Sequence, residues 1–171
     1  TEGLTEHSCR NQTAAWAAWK LSDMGKRVLV LTQEVEHSKA IAAQIPGAAQ
    51  VDGATTEALG ALLDKLQRRE ISVVVGTSVI GEGVDVPAAD ALVYAAGGRS
   101  RVKVVQDFFR VLTAHPGKTE GIVLDFADQH NETLVRASTA RLKLYRDYFG
   151  ADVIEPSEIE TWLRGQTVRG V

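Results

Sequence analysis

Four short runs in this chain are aliphatic almost throughout, without polar residues at alternate positions. They are Arg27–Thr32 (RVLVLT), Ile71–Gly76 (ISVVVG), Ala91–Ala96 (ALVYAA) and Gly121–Phe126 (GIVLDF). A strand wetted on one face alternates apolar with polar side chains, whereas a strand covered on both faces does not. The runs therefore predict a parallel sheet clad by helices on both faces, with Ala48–Val51 as a weaker fifth strand. The segments between them have helical character. Asn11–Met24 is stopped by Gly25, and Glu34–Ile45 carries Val35, Ile41 and Ile45 on or near one face before Pro46-Gly47 ends it. Thr56–Arg69 has a stripe of Leu59, Leu62, Leu63 and Leu66. Further helices are expected at Lys103–Leu112 and Glu132–Phe149, with a short one at Pro156–Arg164. The regular alternation makes this an α/β chain. Its 171 residues suit one domain with a core that needs no disulfide or metal staple.

Charge and cysteine usage narrow the function classes. A net charge of −3 excludes a dominant basic surface, though a local basic cluster is compatible with it. Cys9 is the single cysteine, so an internal disulfide, a Cys-rich zinc site and a CxxC redox pair are excluded, and an intracellular, reducing, cytoplasmic setting is expected. No apolar run approaches the roughly 20 residues of a membrane span. Thr1-Glu2-Gly3-Leu4 lacks the features of a signal peptide. Lacking a starting Met, the chain is expected to be a fragment, a processed product or a trimmed piece.

In open α/β sheets chemistry gathers beyond the carboxyl ends of strands. The loop after Ile71–Gly76 reads Gly76-Thr77-Ser78-Val79-Ile80-Gly81-Glu82-Gly83-Val84-Asp85-Val86-Pro87. Thr77 and Ser78 offer hydroxyl and backbone N–H groups that can hold phosphate oxygens without net charge. Gly81 and Gly83 permit close approach of a ligand, and Asp85 can accept from a ribose hydroxyl or a basic side chain. A glycine-rich turn in which Asp85 caps its own backbone is the competing reading. Further on, Gln106 and Arg110 are four apart and share a helical face, with a guanidinium fork suited to phosphate; a solvated helix face is the alternative. Phe108, Phe109 and Leu112 read as core.

Taken together, the two clusters resemble motifs V and VI of superfamily 2 helicases and translocases. The loop matches [AG]-T-x-x-x-x-[EG]-G-x-D-x-P at Gly76, Thr77, Gly83, Asp85 and Pro87, and the second cluster is similar to Q-x-x-G-R-x-x-R at Gln106 and Arg110. Arg27–Thr32 with Glu36-His37-Ser38 resembles motif IV, and Val51-Asp52-Gly53-Ala54-Thr55 resembles the next family loop. The segment from Pro116 to Asp128 is similar to the stretch after motif VI in the family, so the likeness runs over about residues 10–148 in family order.

The resemblance implies a RecA-like, P-loop NTPase-like C-terminal lobe over residues 1–149 with an appendage over 150–171. It implies an ATP-dependent DNA helicase of repair or phage type, acting on single-stranded or branched DNA, with RNA as the alternative. By the same token Gly53, Thr55, Thr77 and Gln33 would meet nucleic-acid backbone, Gly83 and Asp85 would lie near the nucleotide, and Gln106 and Arg110 would be catalytic, facing the γ-phosphate. ATP and Mg would be bound mainly by an N-terminal RecA-like lobe carrying Walker A and DExH motifs, which this chain lacks. Gly117-Lys118-Thr119 imitates the end of a P-loop, but Leu112 stands where its first Gly belongs, and it precedes a strand, whereas a P-loop comes after one.

Motif VI departs from the family. Phe109 stands where the pattern has Gly, and Thr113 where it has the second Arg, usually assigned as the arginine finger. A catalytically degenerate lobe that binds nucleic acid or a partner protein, compensation by Arg110, Arg99 or Arg101, and an altered chain all fit this. A dinucleotide-binding dehydrogenase domain is disfavoured, because the first strand leads into Thr32-Gln33-Glu34-Val35 with no G-x-G-x-x-G. His37 reads as a polar contact or cap, and His115 and His130 are too isolated for a metal site. Trp16 and Trp19 read as packing residues, with base stacking as the alternative for them and for Trp162. Arg136, Arg141, Lys143 and Arg146 read as a solvated face, with a backbone-contacting or lobe-docking surface as the alternative.

Overall fold

The computed structural model describes residues 8–51, 56–77, 89–97, 116, 121–127, 131–151, 154, 158, 161 and 162. In chain order its elements are α1 (Ser8–Asp23), β1 (Val28–Thr32), α2 (Val35–Ala42), β2 (Ala49–Val51), α3 (Thr56–Gln67), β3 (Val73–Thr77), β4 (Ala91–Tyr94), β5 (Ile122–Asp125) and α4 (Glu132–Phe149). The strands form one sheet in the order β2-β3-β1-β4-β5, and every neighbouring pair is parallel. The aliphatic runs explain this arrangement. Val28–Leu31 of β1, Val74 and Val75 of β3 and Leu92 and Val93 of β4 are completely buried. Burying each such side chain contributes about 1.5–3 kcal/mol, which a strand wetted on one face would forfeit at alternate positions.

The chain divides into two compact units, Thr1–Phe126 and Ala127–Val171, and the whole sheet lies in the first. From β1 the chain steps outward to β2, then back to β3. With right-handed crossovers, that reversal puts α2 and α3 on opposite faces. Helix α1 packs beside α2 and over β1, β3 and β4. Its buried stripe is Asn11, Ala14, Ala15, Ala17, Ala18 and Leu21, small residues that let the helix sit close to the sheet. Gly25 then turns the chain with φ +80°, as its position after the helix predicts.

Helix α2 is shorter than its periodicity predicts. Gln44 and Ile45 donate to carbonyls three residues back, tightening the end ahead of Pro46, yet Ile45 remains in the core. In the second unit α4 spans the expected residues. Asn131 caps it, its side chain accepting from Thr133 N–H at 2.9 Å, and Gly150 closes it at φ +59°. The helix expected at Lys103–Leu112 lies outside the described residues, as does most of Pro156–Arg164.

Candidate functional site

Parallel pairing gathers all five strand ends on one rim: Thr32, Val51, Thr77, Tyr94 and Asp125. At its centre β1 and β4 are neighbours, yet the connection after β1 leads toward β2 and that after β4 toward β5. Such a divergence opens a crevice outside the strand ends, where open α/β sheets take their ligands. Gly97, at φ +67°, turns the chain just past β4.

Two of the sequence-derived site residues lie on the described part of this rim. Thr32 of β1 is in register with Thr77 of β3, so Gln33 and Thr77 belong to adjacent strand ends. Gln33 is exposed, whereas Thr77 is only 5% exposed; of the two, Gln33 is the side chain that reaches solvent. Glu34 and Glu36 stand exposed beside Gln33, and Lys39 Nζ pairs with Glu36 at 3.0 Å. Gly53, Thr55, Gly83, Asp85, Gln106 and Arg110 lie outside the described residues, as do Phe109 and Thr113.

The backbone behind Gln33 is held from three sides. The buried Thr32 hydroxyl lies 3.0 Å from Glu34 O and 3.3 Å from Gly76 O, linking the ends of β1 and β3. Gln50 of β2 donates through Nε2 to Ser38 Oγ at 2.9 Å, and Ser38 Oγ donates to Val35 O at 2.7 Å. From α1, Asn11 Oδ1 lies 2.8 Å from His37 Nε2. An amide oxygen only accepts, so His37 carries its proton on Nε2.

His37 is 1% exposed. Burial lowers its pKa, and the positive charge of Arg10 lowers it further, so the ring is neutral. The Arg10 guanidinium lies 4.7 Å above the ring of Phe126, just past β5, adding a cation–π contact on the same rim. His37 is thus a buried polar contact rather than a cap; Glu34 is the N-cap residue of α2 and makes no side-chain cap bond. Trp16 and Trp19 differ from the packing expectation. They are 41% and 42% exposed, because the alanines and Leu21 take the sheet-facing stripe of α1.

The opposite rim is built differently. Arg27, just before β1, forks onto Asp90, just before β4: Nε donates to Oδ2 and Nη2 to Oδ1, each at 3.0 Å, and the Arg27 N–H donates to Oδ2 at 2.8 Å. Burial by itself raises the Asp90 pKa. The side-chain and backbone hydrogen bonds from Arg27, with the charges of Arg27 and Arg69, outweigh it and hold the carboxyl below its ordinary value. The bond to Asp90 raises the pKa of Arg27. Sequence reading missed this pair; its signal was a basic residue before one aliphatic run and an acidic residue before another. A depression of about 290 Å³ also opens on this rim, lined by Trp19, Pro46, Glu70 and Ile71 among others, at the other end of the sheet from Gln33 and Thr77. Among the described residues, no group of three or more His, Cys, Asp or Glu converges as a metal site.

Comparison with known proteins decides the family. The model of the helicase conserved C-terminal domain matches residues 13–113, more than half of the chain. This chain belongs to the helicase C-terminal domain family. Among curated relatives of this helicase lobe, the ATP-dependent DNA helicase uvsW of Enterobacteria phage T4 is 28% identical over 153 residues. That alignment covers 85% of this chain but only 30% of the phage protein. The crystal structure of T4 UvsW superimposes with a TM-score of 0.72 at 24% identity, covering 85% of this chain and 34% of that one. The C-terminal domain of Dbp5 from S. cerevisiae superimposes with a TM-score of 0.60 at 14% identity, covering 93% and 94%. The helicase lobe therefore has the RecA-like fold of superfamily 2 C-terminal lobes. No helix among the described residues is long and apolar enough to cross a membrane.

Proposed function

We propose that residues 1–149 act as the C-terminal motor lobe of an ATP-dependent superfamily 2 DNA helicase or translocase, with 150–171 as an appendage. The observation that carries this reading is the family match over residues 13–113, which spans both the Gly76–Pro87 loop and the Gln106–Arg110 cluster. The likeness to a phage protein named as an ATP-dependent DNA helicase supports it. In this reading ATP and Mg lie mainly on an N-terminal RecA-like lobe with Walker A and DExH motifs. Gly83 and Asp85 border the nucleotide, and Gln106 and Arg110 face its γ-phosphate. Gln33, Gly53, Thr55 and Thr77 grip the backbone of single-stranded or branched DNA, with RNA as the other substrate class. ATP supplies the driving chemistry, hydrolysis of the γ-phosphate; this lobe orients that phosphate and shifts its grip on the strand as the two lobes move relative to each other. The setting is cytoplasmic, with a role in DNA repair.

Thr113 gives a specific reason for a second reading, a degenerate lobe that binds nucleic acid or a partner protein without driving hydrolysis. An arginine reaching across such a cleft is worth roughly 10³–10⁵-fold in rate, and threonine cannot supply its charge. The test joins this lobe to its N-terminal lobe and measures ATP hydrolysis with and without oligothymidylate. Stimulated hydrolysis is expected, and Thr113→Arg should raise it; no stimulation in either protein rejects the motor reading. The 171-residue chain alone is expected to bind ATP poorly, and robust turnover by it would refute the two-lobe arrangement.

A further inference from the structure

The hydrogen bond between α1 and α2 joins elements that the motifs leave separate. Nothing in motif IV or V assigns Asn11, yet it is buried and meets the equally buried His37 in the first turn of α2. His37 lies four residues after Gln33, on a turn also fixed by Gln50 through Ser38 and bonded to β3 through Thr32. The bond to Asn11 ties that turn to α1, which itself packs on β1, β3 and β4. We infer that Asn11 and His37 are positioning residues, setting the Gln33 loop against the end of β3 so that both strand ends meet one stretch of nucleic-acid backbone. The inference rests on the function proposed above and adds a residue on α1 to it. Asn11 and His37 touch neither substrate nor nucleotide; they act through Gln33.

The geometry makes a reach-specific demand. The donor must extend as far as imidazole Nε2 while remaining neutral. Glutamine places an N–H at a similar distance from the backbone, whereas asparagine stops short. The test uses the protein containing both lobes and measures ATP hydrolysis against oligothymidylate concentration, with a melting temperature for each variant. His37→Gln should keep the half-saturating oligonucleotide concentration within about twofold of the parent. His37→Asn should raise it about fivefold, the effect of one lost neutral hydrogen bond, while the saturated rate changes less than twofold. Asn11→Ser, which withdraws the acceptor from the other side, should give the same rise and decides the matter if His37→Asn does not fold. Equal half-saturation for the Gln and Asn variants, a normal value for Asn11→Ser, or a fall in the saturated rate without a rise in half-saturation overturns the inference. A parent protein that hydrolyses ATP but ignores oligothymidylate overturns both this inference and the function beneath it, whereas a responsive parent whose His37→Asn and Asn11→Ser variants keep its half-saturation overturns this one alone.

Discussion

The two rims of the sheet share the same strands and almost nothing else. At the amino rim a bidentate ion pair, Arg27 with Asp90, is buried and satisfied by a further backbone N–H. At the carboxyl rim the buried bonds behind the exposed Gln33 are neutral and come from Thr32, Ser38, Gln50, Asn11 and His37, with charged contacts such as Lys39–Glu36 and Arg10 over Phe126 outside that network. Buried opposite charges meet where the strands begin and must align. Around Gln33 the buried groups are neutral, which in the proposed function leaves no buried carboxylate of this network to repel a phosphate backbone. The contrast separates residues that hold the sheet together from residues that shape its working edge.

The largest effect expected from this contrast is at the amino rim. Asp90→Ala strands the Arg27 guanidinium in a buried position and should cost about 3–5 kcal/mol in urea unfolding. If it instead weakened oligonucleotide response in a fully folded protein, the division between the rims would fail. Thr32→Val keeps the shape of the strand end but leaves the Glu34 and Gly76 carbonyls without their hydroxyl. It should cost about 1–2 kcal/mol by the same measurement.

The pH response comes next. The pKa of His37 is lowered by folding, so the unfolded chain takes up the proton first. The full contribution of neutral His37 is present above about pH 6.5 and is lost as pH falls from there toward its lowered native value. Asp90, also lowered, adds a second loss only below about pH 4. Urea midpoints at pH 7.5 and 5 should therefore differ in the parent and differ less in His37→Gln. The smallest expected effect concerns the exposed Glu34, whose charge lies beside Gln33. Glu34→Gln should tighten oligothymidylate binding by about two- to threefold at low salt, with the gain shrinking as salt rises.

The sheet was readable because burial on both faces leaves a plain mark, a run such as VLVL or SVVV that no wetted strand would carry. Helix α4 was readable because its cap residues, Asn131 and Gly150, are the types that its ends require. The carboxyl-rim network was not. Asn11 and His37 are polar residues on helices whose periodicity points them only roughly inward, and nothing local says that they meet. Trp16 and Trp19 misled for a related reason. Size suggests burial, but an alanine stripe can lie closer to a sheet than two indoles can, so the small residues took the inner face. Arg27 and Asp90 were separately visible as charges before strands, but their pairing depends on β1 and β4 being neighbours, a matter of topology that neither segment carries.

The central place of β1 has a consequence for biosynthesis. It leaves the ribosome before any of its partners, and both of its edges stay unpaired until β3 and then β4 have been translated. For that interval VLVLT is an exposed, uncharged, proline-free segment of the kind that seeds aggregation. The nascent protein should depend most on chaperones between the emergence of β1 and that of β4.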